Sequence, residues 1–499
     1  MNIVETDRGY EISFPFDFNK VKEVKSIPGS FFKGKDKVWI VPKRSEVAVM
    51  SLARKYGVID TTVTQAAENY DAVPELPELD IELNLPRELF PFQKKGVAYN
   101  RIHKKVIIGD QPGLGKTTQL IASVISLNAF PCLIICPATL KLNWQKEWMD
   151  VAGKQAMILS DRVKNTWHQY HKVGMVDVFI CNYESLKKYF VSPGWSKPKD
   201  SPFKVKDIPF RDTINLFKSV AVDESHKCKD GTTQQAKFVM GISKAKEYVF
   251  ELTGTPVVNK PKDLIPQLII LDRLKDVVSH LPDKTGRDYS GYRRFLDRYC
   301  GGGNDATNLK ELNYRLNTTC FYRREKSEVL KDLPAKLRQV VLCEITNRKE
   351  YDKAANEFVD YLKSVRGCTD AEVTKKLRGE VMVKMGILKQ ISSRGKIESV
   401  KDHIDEITDG GEKVVVFCSL REIGDRLKEI YPAAVMIRGG MTSEDKDLSV
   451  RKFQTDPKTK VIICSIKAAG VGLTLTASSR VVFVEFPWTF ADCEQCEDR

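Results

Sequence analysis

The chain lacks any long hydrophobic run. Across its 499 residues no apolar stretch reaches the ~20 that a membrane-spanning helix needs. Met1 to Tyr10 also lacks the apolar centre of a secretory signal. Paired cysteine is missing too. The twelve cysteines are scattered singly, many in apolar segments such as Leu133-Ile134-Ile135-Cys136 and Val416-Phe417-Cys418. That is how a small buried hydrophobe is used in a reducing compartment. The one close pair, Cys493 and Cys496, has no second pair and no neighbouring histidine, so its spacing does not read as a zinc site. Solenoid-type repeats are absent. Acidic residues are in deficit: 66 Asp and Glu against 80 Lys and Arg leave a formal charge of +14. These absences exclude a membrane protein and a disulfide scaffold. They lead us to expect an intracellular chain, in cytoplasm, nucleoid or nucleus, with a polyanionic partner.

What is present is a globular composition, 42% hydrophobic and 29% charged, on a chain too long for one core. Residues 1–70 read as a small α+β unit. Tyr10 to Phe14 alternates like a strand, Lys37 to Val41 reads as another, and Ser45 N-caps a helix to Tyr56. Between them Lys20, Lys22, Lys25, Lys33, Lys35, Lys37, Lys43 and Arg44 interleave with Phe31, Phe32 and Trp39. Cations beside rings suit a nucleic-acid surface, and Lys33, Lys35 and Lys37 are its candidate contacts. Trp39 is the ring expected to serve the core. Residues 71–88 hold three prolines, and Asp71 to Pro86 contains no Lys or Arg, the composition of a linker. From 89 to 262 short apolar strands alternate with helices, as in a buried parallel sheet, with Tyr189 to Asp212 expected as a surface insertion. Residues 263–396 read as helical, and 397–499 resume the α/β alternation.

Chemistry concentrates in three segments. Ile107 to Thr118 (IIGDQPGLGKTT) runs from an apolar strand through glycines into a helix. In such a loop Gly113 and Gly115 let backbone N–H groups face phosphates at a helix N-terminus. Lys116 adds a mobile cation, Thr117 a hydroxyl for Mg²⁺, and Thr118 continues the cradle. The general loop has glycine where this chain has Asp110. Ser219 to His226 (SVAVDESH) ends a strand in two carboxylates. Asp223 suits a metal ion and Glu224 the attacking water of an in-line phosphoryl transfer. Leu252 to Pro256 (LTGTP) brings hydroxyls that could link the phosphate site to a nucleic-acid face.

Together with Gln93 in Leu89 to Gly96 (LFPFQKKG), these segments resemble a superfamily-2 helicase, and in detail the Snf2 family of double-stranded-DNA translocases. That family's loop is D-x-x-G-L-G-K-T, which makes Asp110 a match. Further similar segments are Cys136 to Leu140 with Asn143 and Trp144, Asn182-Tyr183-Glu184, and Tyr322 to Leu330 followed by Leu333-Pro334-Ala335-Lys336. In the second block they are Phe417-Cys418-Ser419, Arg438 to Thr442, Phe453-Gln454 and Ala468 to Leu475. Ile27 to Ser30, Trp39 and Val41-Pro42 are similar to the HARP-type domain of annealing helicases.

The resemblance implies an α/β fold of two RecA-like lobes with parallel sheets around an ATP cleft. A small α+β N-terminal domain and a helical segment between the lobes complete it. It implies ATP and Mg²⁺ as cofactors, and double-stranded or branched DNA as partner in replication, recombination or repair. A conventional unwinding helicase and a non-catalytic ATP-dependent regulator are the alternatives. By resemblance Gln93 contacts adenine, Lys116 the phosphates, and Gly472 the nucleotide. Pro137, Thr139, Asn143 and Asn182 on one lobe, with Ser465 and Thr474 on the other, face the DNA backbone. Gln495 to Arg499 resembles the start of the family's last motif. Arg499 is its one arginine here, so nucleotide binding is the firmer expectation and full turnover the weaker one.

Overall fold

The computed structural model describes residues 1–498 apart from 7–8, 35, 57–69, 71, 199–202, 282–289, 335, 365–368, 370–379, 470–472 and 474. Lys35, Gly472, Thr474 and Arg499 of the expected site therefore lie outside the described residues.

Residues 2–56 form an antiparallel sheet of order β1-β2-β4-β3, made by β1 (Asn2–Thr6), β2 (Gly9–Ser13), β3 (Phe31–Lys33) and β4 (Val38–Val41). Helices Phe18–Ser26 and Glu46–Lys55 cover it, burying Ile12, Val24, Val41 and Val49. Asp17 caps the first helix by accepting from the backbone N–H of Asn19 and Lys20. Ser45 does stand at the N-cap of the second, but its hydroxyl donates to Pro28 O at 3.0 Å and not to the helix. Trp39 is half-buried beside this core, while Phe16, Phe18, Phe31 and Phe32 are exposed.

The segment 72–88 has no regular structure, yet it is fastened down. Leu79, Leu83 and Leu85 pack on Leu89, Val97 and Ala122, and Arg87 pairs with Glu147 at 2.8 Å. Charge and proline suggest a free linker; the interleaved leucines make it a strap, because each turns its apolar side to the lobe.

The first lobe is a seven-stranded parallel sheet of order β11-β5-β10-β9-β6-β8-β7. Its strands are β5 (Lys105–Ile108), β6 (Cys132–Cys136), β7 (Met157–Ile158), β8 (Val178–Asn182), β9 (Ser219–Asp223), β10 (Tyr248–Leu252) and β11 (Phe321–Tyr322). Central strands buried on both faces must be apolar throughout, hence Cys132-Leu133-Ile134-Ile135-Cys136. Successive residues enter opposite cores: Ile107, Leu133 and Val220 one, Ile108, Ile134 and Ala221 the other. Because all strands run the same way, their C-terminal ends share one edge.

Two sequence readings change here. The segment Tyr189–Asp212 is not a superficial insertion: Tyr189, Phe190, Phe203 and Ile208 are buried in the first core, with Trp195 packed against it. Nor does lobe packing end at 262. Leu264, Leu268, Phe295, Tyr299 and Phe321 belong to the same core, and β11 pairs with β5. Helical periodicity reports local shape and not which body a helix joins.

Helices Arg348–Asn356, Phe358–Ser364 and Glu380–Gly395 follow, packed around Ala354, Tyr361 and Ile391. The second lobe is a parallel sheet of order β13-β14-β12-β15, from β12 (Val414–Cys418), β13 (Val435–Ile437), β14 (Val461–Ser465) and β15 (Arg480–Phe483). Val414 and Val416 serve one core, Val415 and Phe417 the other.

A polar cluster ties the helices of the first lobe together. Glu311, 3% exposed, accepts from Arg298, Tyr299 (3.0 Å) and His280 (2.8 Å). Burial alone would raise its pKa, but the bonds from His280 and Arg298 outweigh it and hold the carboxyl at about 2. Its contribution is therefore fully present above the ordinary value of 4.5 and is lost as pH falls from there toward about 2. Glu311→Gln is expected to cost about 3 kcal/mol at neutral pH. The difference from the parent should shrink through that acid window in urea unfolding measured against pH.

Candidate nucleotide site

The shared edge of the first sheet gathers the three chemical segments. The glycine loop follows β5, the carboxylates end β9, and Thr253 follows β10, which lies between those two strands. Helix Lys116–Ser126 begins at Gly115, whose φ of +71° favours glycine. A Cβ at Gly115 would also collide with Gln93 Nε2. Gln93 is buried; it accepts from Phe90 N–H at 3.0 Å and donates to Leu114 O at 3.2 Å, so it fastens helix Pro91–His103 to the loop. Lys116 Nζ donates to Asp110 O at 2.7 Å and Gln111 O at 3.3 Å, closing the loop on itself. Thr117 is half-buried and Thr118 buried behind it, while Gly113 is exposed.

Asp110 has a partner that sequence reading missed. Its carboxylate is fully buried and receives Arg324 N, Nε (both 3.0 Å) and Nη2 (2.5 Å), with Gln119 Nε2 at 2.9 Å. Arg324 also donates to Phe92 O and to Gln119 Oε1 at 2.7 Å, and lies over the Phe92 and Tyr322 rings. Gly96 permits this crowding, since a Cβ there would strike Gln119, Tyr322 and Arg324. Arg323 donates to Gly109 O at 3.1 Å and to Gly254 O, joining the phosphate loop to the TGTP loop. The only sequence signal was the adjacent pair Arg323-Arg324 after an aromatic strand.

At the end of β9, Asp223 Oδ2 accepts from Trp144 Nε1 at 2.8 Å and its carbonyl from Tyr183 OH at 2.6 Å. Burial first, and the like charge of Glu224 second, push its pKa up to about 7. Glu224 sits in the left-handed region at φ 54°, ψ 50°, a backbone strain found at functional turns. Its Oε2 lies 3.3 Å from His226 Nδ1, which is 3.1 Å from Thr253 Oγ1. Burial, helped by Lys227 and Lys229, lowers His226 to about 4, so the ring is neutral near pH 7.

The donor set fits Mg²⁺ on chemical grounds. Thr117 and Asp223 offer hard oxygens, and a crowded carboxylate pair carries negative charge that a divalent ion offsets. Among the described residues no cluster of three or more His, Cys, Asp or Glu could hold a metal.

The DNA-facing candidates of the first lobe follow the same edge. Pro137 and Asn182 are buried at the ends of β6 and β8, Thr139 is half-buried and Asn143 exposed. Asn182 Nδ2 donates to Glu184 Oε2 at 2.7 Å. Ser465 ends β14 in the second lobe, lining a cavity of about 180 Å³ with Ser419, Arg421 and Arg438. Lys33 pairs with Asp36, and Lys37 is exposed at φ 53°. Both belong to the N-terminal unit and not to the sheet edge, and that unit touches the first lobe through Glu46 and Arg298 at 3.6 Å.

The second lobe meets the first through charges. Lys146 of helix Lys141–Ala152 pairs with Asp447 at 2.9 Å. Lys326, whose N–H donates to Gln111 Oε1, pairs with Asp498, as does Lys336 at 2.6 Å; Arg338 holds Glu497 at 2.7 Å.

Comparison with known proteins bears on this arrangement. The model described as the SNF2-related domain matches residues 92–396, more than half the chain. The chain belongs to the SNF2-related family. The helicase conserved C-terminal domain matches 395–499, so the family's helicase-type ATPase core runs through both lobes. A Caenorhabditis elegans SWI/SNF-related matrix-associated actin-dependent regulator of chromatin subfamily A-like protein 1 homolog is 25% identical over 97% of this chain and 68% of its own length. The mouse DNA annealing helicase and endonuclease ZRANB3 is 29% identical over 87% of this chain and 38% of its own. The chain thus spans about two thirds of the worm relative and well under half of the mouse one. Among solved structures, the Sulfolobus solfataricus SWI2/SNF2 ATPase core in complex with dsDNA aligns at 23% identity and TM-score 0.40, covering 82% of this chain and 84% of that one. In the described residues no helix is long and apolar enough to cross a membrane.

Asp110→Asn would leave the Arg324 guanidinium buried without its carboxylate. We expect a loss of about 3–5 kcal/mol, read by urea unfolding. Asp110→Gly, the residue of the generic phosphate loop, should do no better.

Proposed function

We propose that this chain is an ATP-dependent translocase on double-stranded DNA that remodels or anneals branched DNA. The observation that carries the reading is the convergence of phosphate loop, carboxylate pair and TGTP loop on one sheet edge, with Trp144 and Tyr183 from the neighbouring DNA-facing segments holding Asp223. The mouse relative named as a DNA annealing helicase supports the branched-DNA part.

In this reading the loop amides and Lys116 take the β- and γ-phosphates, Lys116 leaving its loop carbonyls to do so, and Gln93 faces the adenine. Thr117 and Asp223 hold Mg²⁺, which supplies charge neutralisation at the phosphate oxygens when bound. Glu224 orients the attacking water and accepts its proton, while neutral His226 links that carboxylate to Thr253. Pro137, Thr139, Asn143 and Asn182 on one lobe, and Ser465 on the other, contact backbone phosphates. Gly472 as a nucleotide contact, Thr474 as a DNA contact and Arg499 as a catalytic cation rest on the resemblance alone, since they lie outside the described residues. Bridging both lobes with nucleotide favours a closed state, and the exposed Lys146–Asp447 contact between lobes can be exchanged cheaply as they move. Backbone contacts imply weak sequence preference and steep salt dependence. Residues 1–70 act as the HARP-like unit that reads branched DNA, the strap 71–88 joining it to the motor.

Two measurements test this. Glu224→Gln should lower DNA-stimulated ATP hydrolysis by about 10²-fold or more while labelled ATP still binds. Lys116→Ala should lose the binding itself, and unchanged hydrolysis in either variant would sink the mechanism. For the N-terminal unit, Phe31→Ala with Phe32→Ala should cut the preference for forked over linear duplex by about tenfold, the worth of one stacked base. An unaltered preference would return those rings to a structural role. Strand separation on fully paired substrates would favour the conventional helicase instead.

A further inference from the structure

Lys326 follows the Arg323-Arg324 pair and is fastened to the phosphate loop through its backbone, whose N–H donates to Gln111 Oε1 at 2.8 Å. From that anchor its side chain runs over the loop. A Cβ built on Gly113 would stand 3.3 Å from Lys326 Cε and 3.4 Å from its Nζ. Gly113, exposed and at φ +87°, belongs to the run whose N–H groups face phosphate in a loop of this kind. The loop therefore has two ammonium groups beside it. Lys116 comes from within it, and Lys326 is brought over it by the segment after β11.

The Lys326 ammonium is also held from the second lobe. Asp498, directly after helix Phe490–Glu497, presents Oδ1 to it at 2.5 Å from a side chain only 3% exposed. The same oxygen takes Lys336 Nζ at 2.6 Å. Two cations on one carboxylate oxygen repel each other, and one is enough to neutralise it. A buried carboxylate stripped of every partner is costly, but Asp498 without Lys326 keeps Lys336. Arg338 likewise keeps Glu497 at 2.7 Å. Lys326 is thus a cation that can leave its acid without leaving that acid alone.

We infer that Lys326 is a second nucleotide-binding lysine, which exchanges Asp498 for the phosphates of a nucleoside triphosphate seated on the glycine loop. The inference rests on the nucleotide reading of that loop and adds the residue through which the second lobe competes with nucleotide. Charge stays paired on both sides of the exchange: the ammonium meets phosphate oxygens, and Asp498 remains with Lys336. No covalent bond changes.

The test is equilibrium binding of labelled ATP with Mg²⁺ to the full chain, in Lys326→Met, Asp498→Asn and the double variant. Methionine keeps an unbranched stem over Gly113 and removes the charge. Lys326→Met should weaken ATP binding about tenfold, the worth of one charge-assisted contact. Asp498→Asn should tighten it about threefold, because Lys326 no longer has to be taken from a carboxylate. In the double variant that gain should vanish. A purely structural ion pair gives a loss in both single variants. A general effect of the Asp498 charge gives a gain that survives in the double variant. Either result overturns the inference, as does parental affinity in Lys326→Met. Should one of these variants not fold, Lys336→Met decides: it should weaken ATP binding about threefold, since Asp498 then holds Lys326 back, and unchanged affinity overturns the inference. A parent chain that binds no ATP overturns the nucleotide reading and the inference with it, whereas the other outcomes leave that reading standing.

Discussion

The buried pair of Asp110 and Arg324 is the constraint on which the first lobe's chemistry depends. Three donors of one arginine converge on one fully buried carboxylate. Such a bidentate pair repays its desolvation only when geometry is excellent and the remaining valences are met. Here Gln119, Phe92 O and the Tyr322 ring meet them. The consequence is mechanical: β5, the helix after the phosphate loop, the helix bearing Gln93 and β11 all meet at this one point. A generic phosphate loop can use glycine there because nothing needs anchoring. This loop cannot, because its far side is built by a segment 214 residues away.

From that anchored loop the rest of the site is a matter of who holds Asp223. Trp144 comes from the helix after β6 and Tyr183 from the turn after β8, both on the side proposed to face DNA. A displacement of either element is felt at the carboxylate directly, through one bond of 2.8 Å or less. Coupling of this kind needs no long pathway; it needs only that a single side chain be shared between two surfaces. The lobes, in contrast, meet through Lys146–Asp447, an exposed pair that salt weakens, and through the cluster on Glu497 and the nearly buried Asp498, which salt screens less.

Much of this was legible in the sequence, and what was not has a common cause. Strands such as Val414–Cys418 announce themselves because burial on both faces forces a continuous apolar run. The phosphate loop does so because glycine, lysine and threonine have local jobs. Arg324 was quoted as part of a resemblance without a role, since its partner lies far off in sequence and a charged residue ordinarily reads as surface. Trp144 and Tyr183 were likewise quoted within the resemblance without a role of their own; they are core aromatics with a polar tip reaching the site. The strap and the Tyr189–Asp212 segment misled through composition: proline and charge marked them as loose, while the spacing of their apolar residues decides where they lie.

The order of strands carries one more consequence, for the life of the chain during its synthesis. β11 is the last strand of the first sheet to be made, and it lies against β5, which is the first. A ribosome must therefore add some two hundred residues after Asp110 before Arg324 exists to meet it. Through that interval the nascent phosphate loop holds an acid with no counter-charge, and the edge of β5 is open to any passing strand. The nucleotide loop, early in the gene, is thus among the last parts of its lobe to take final form.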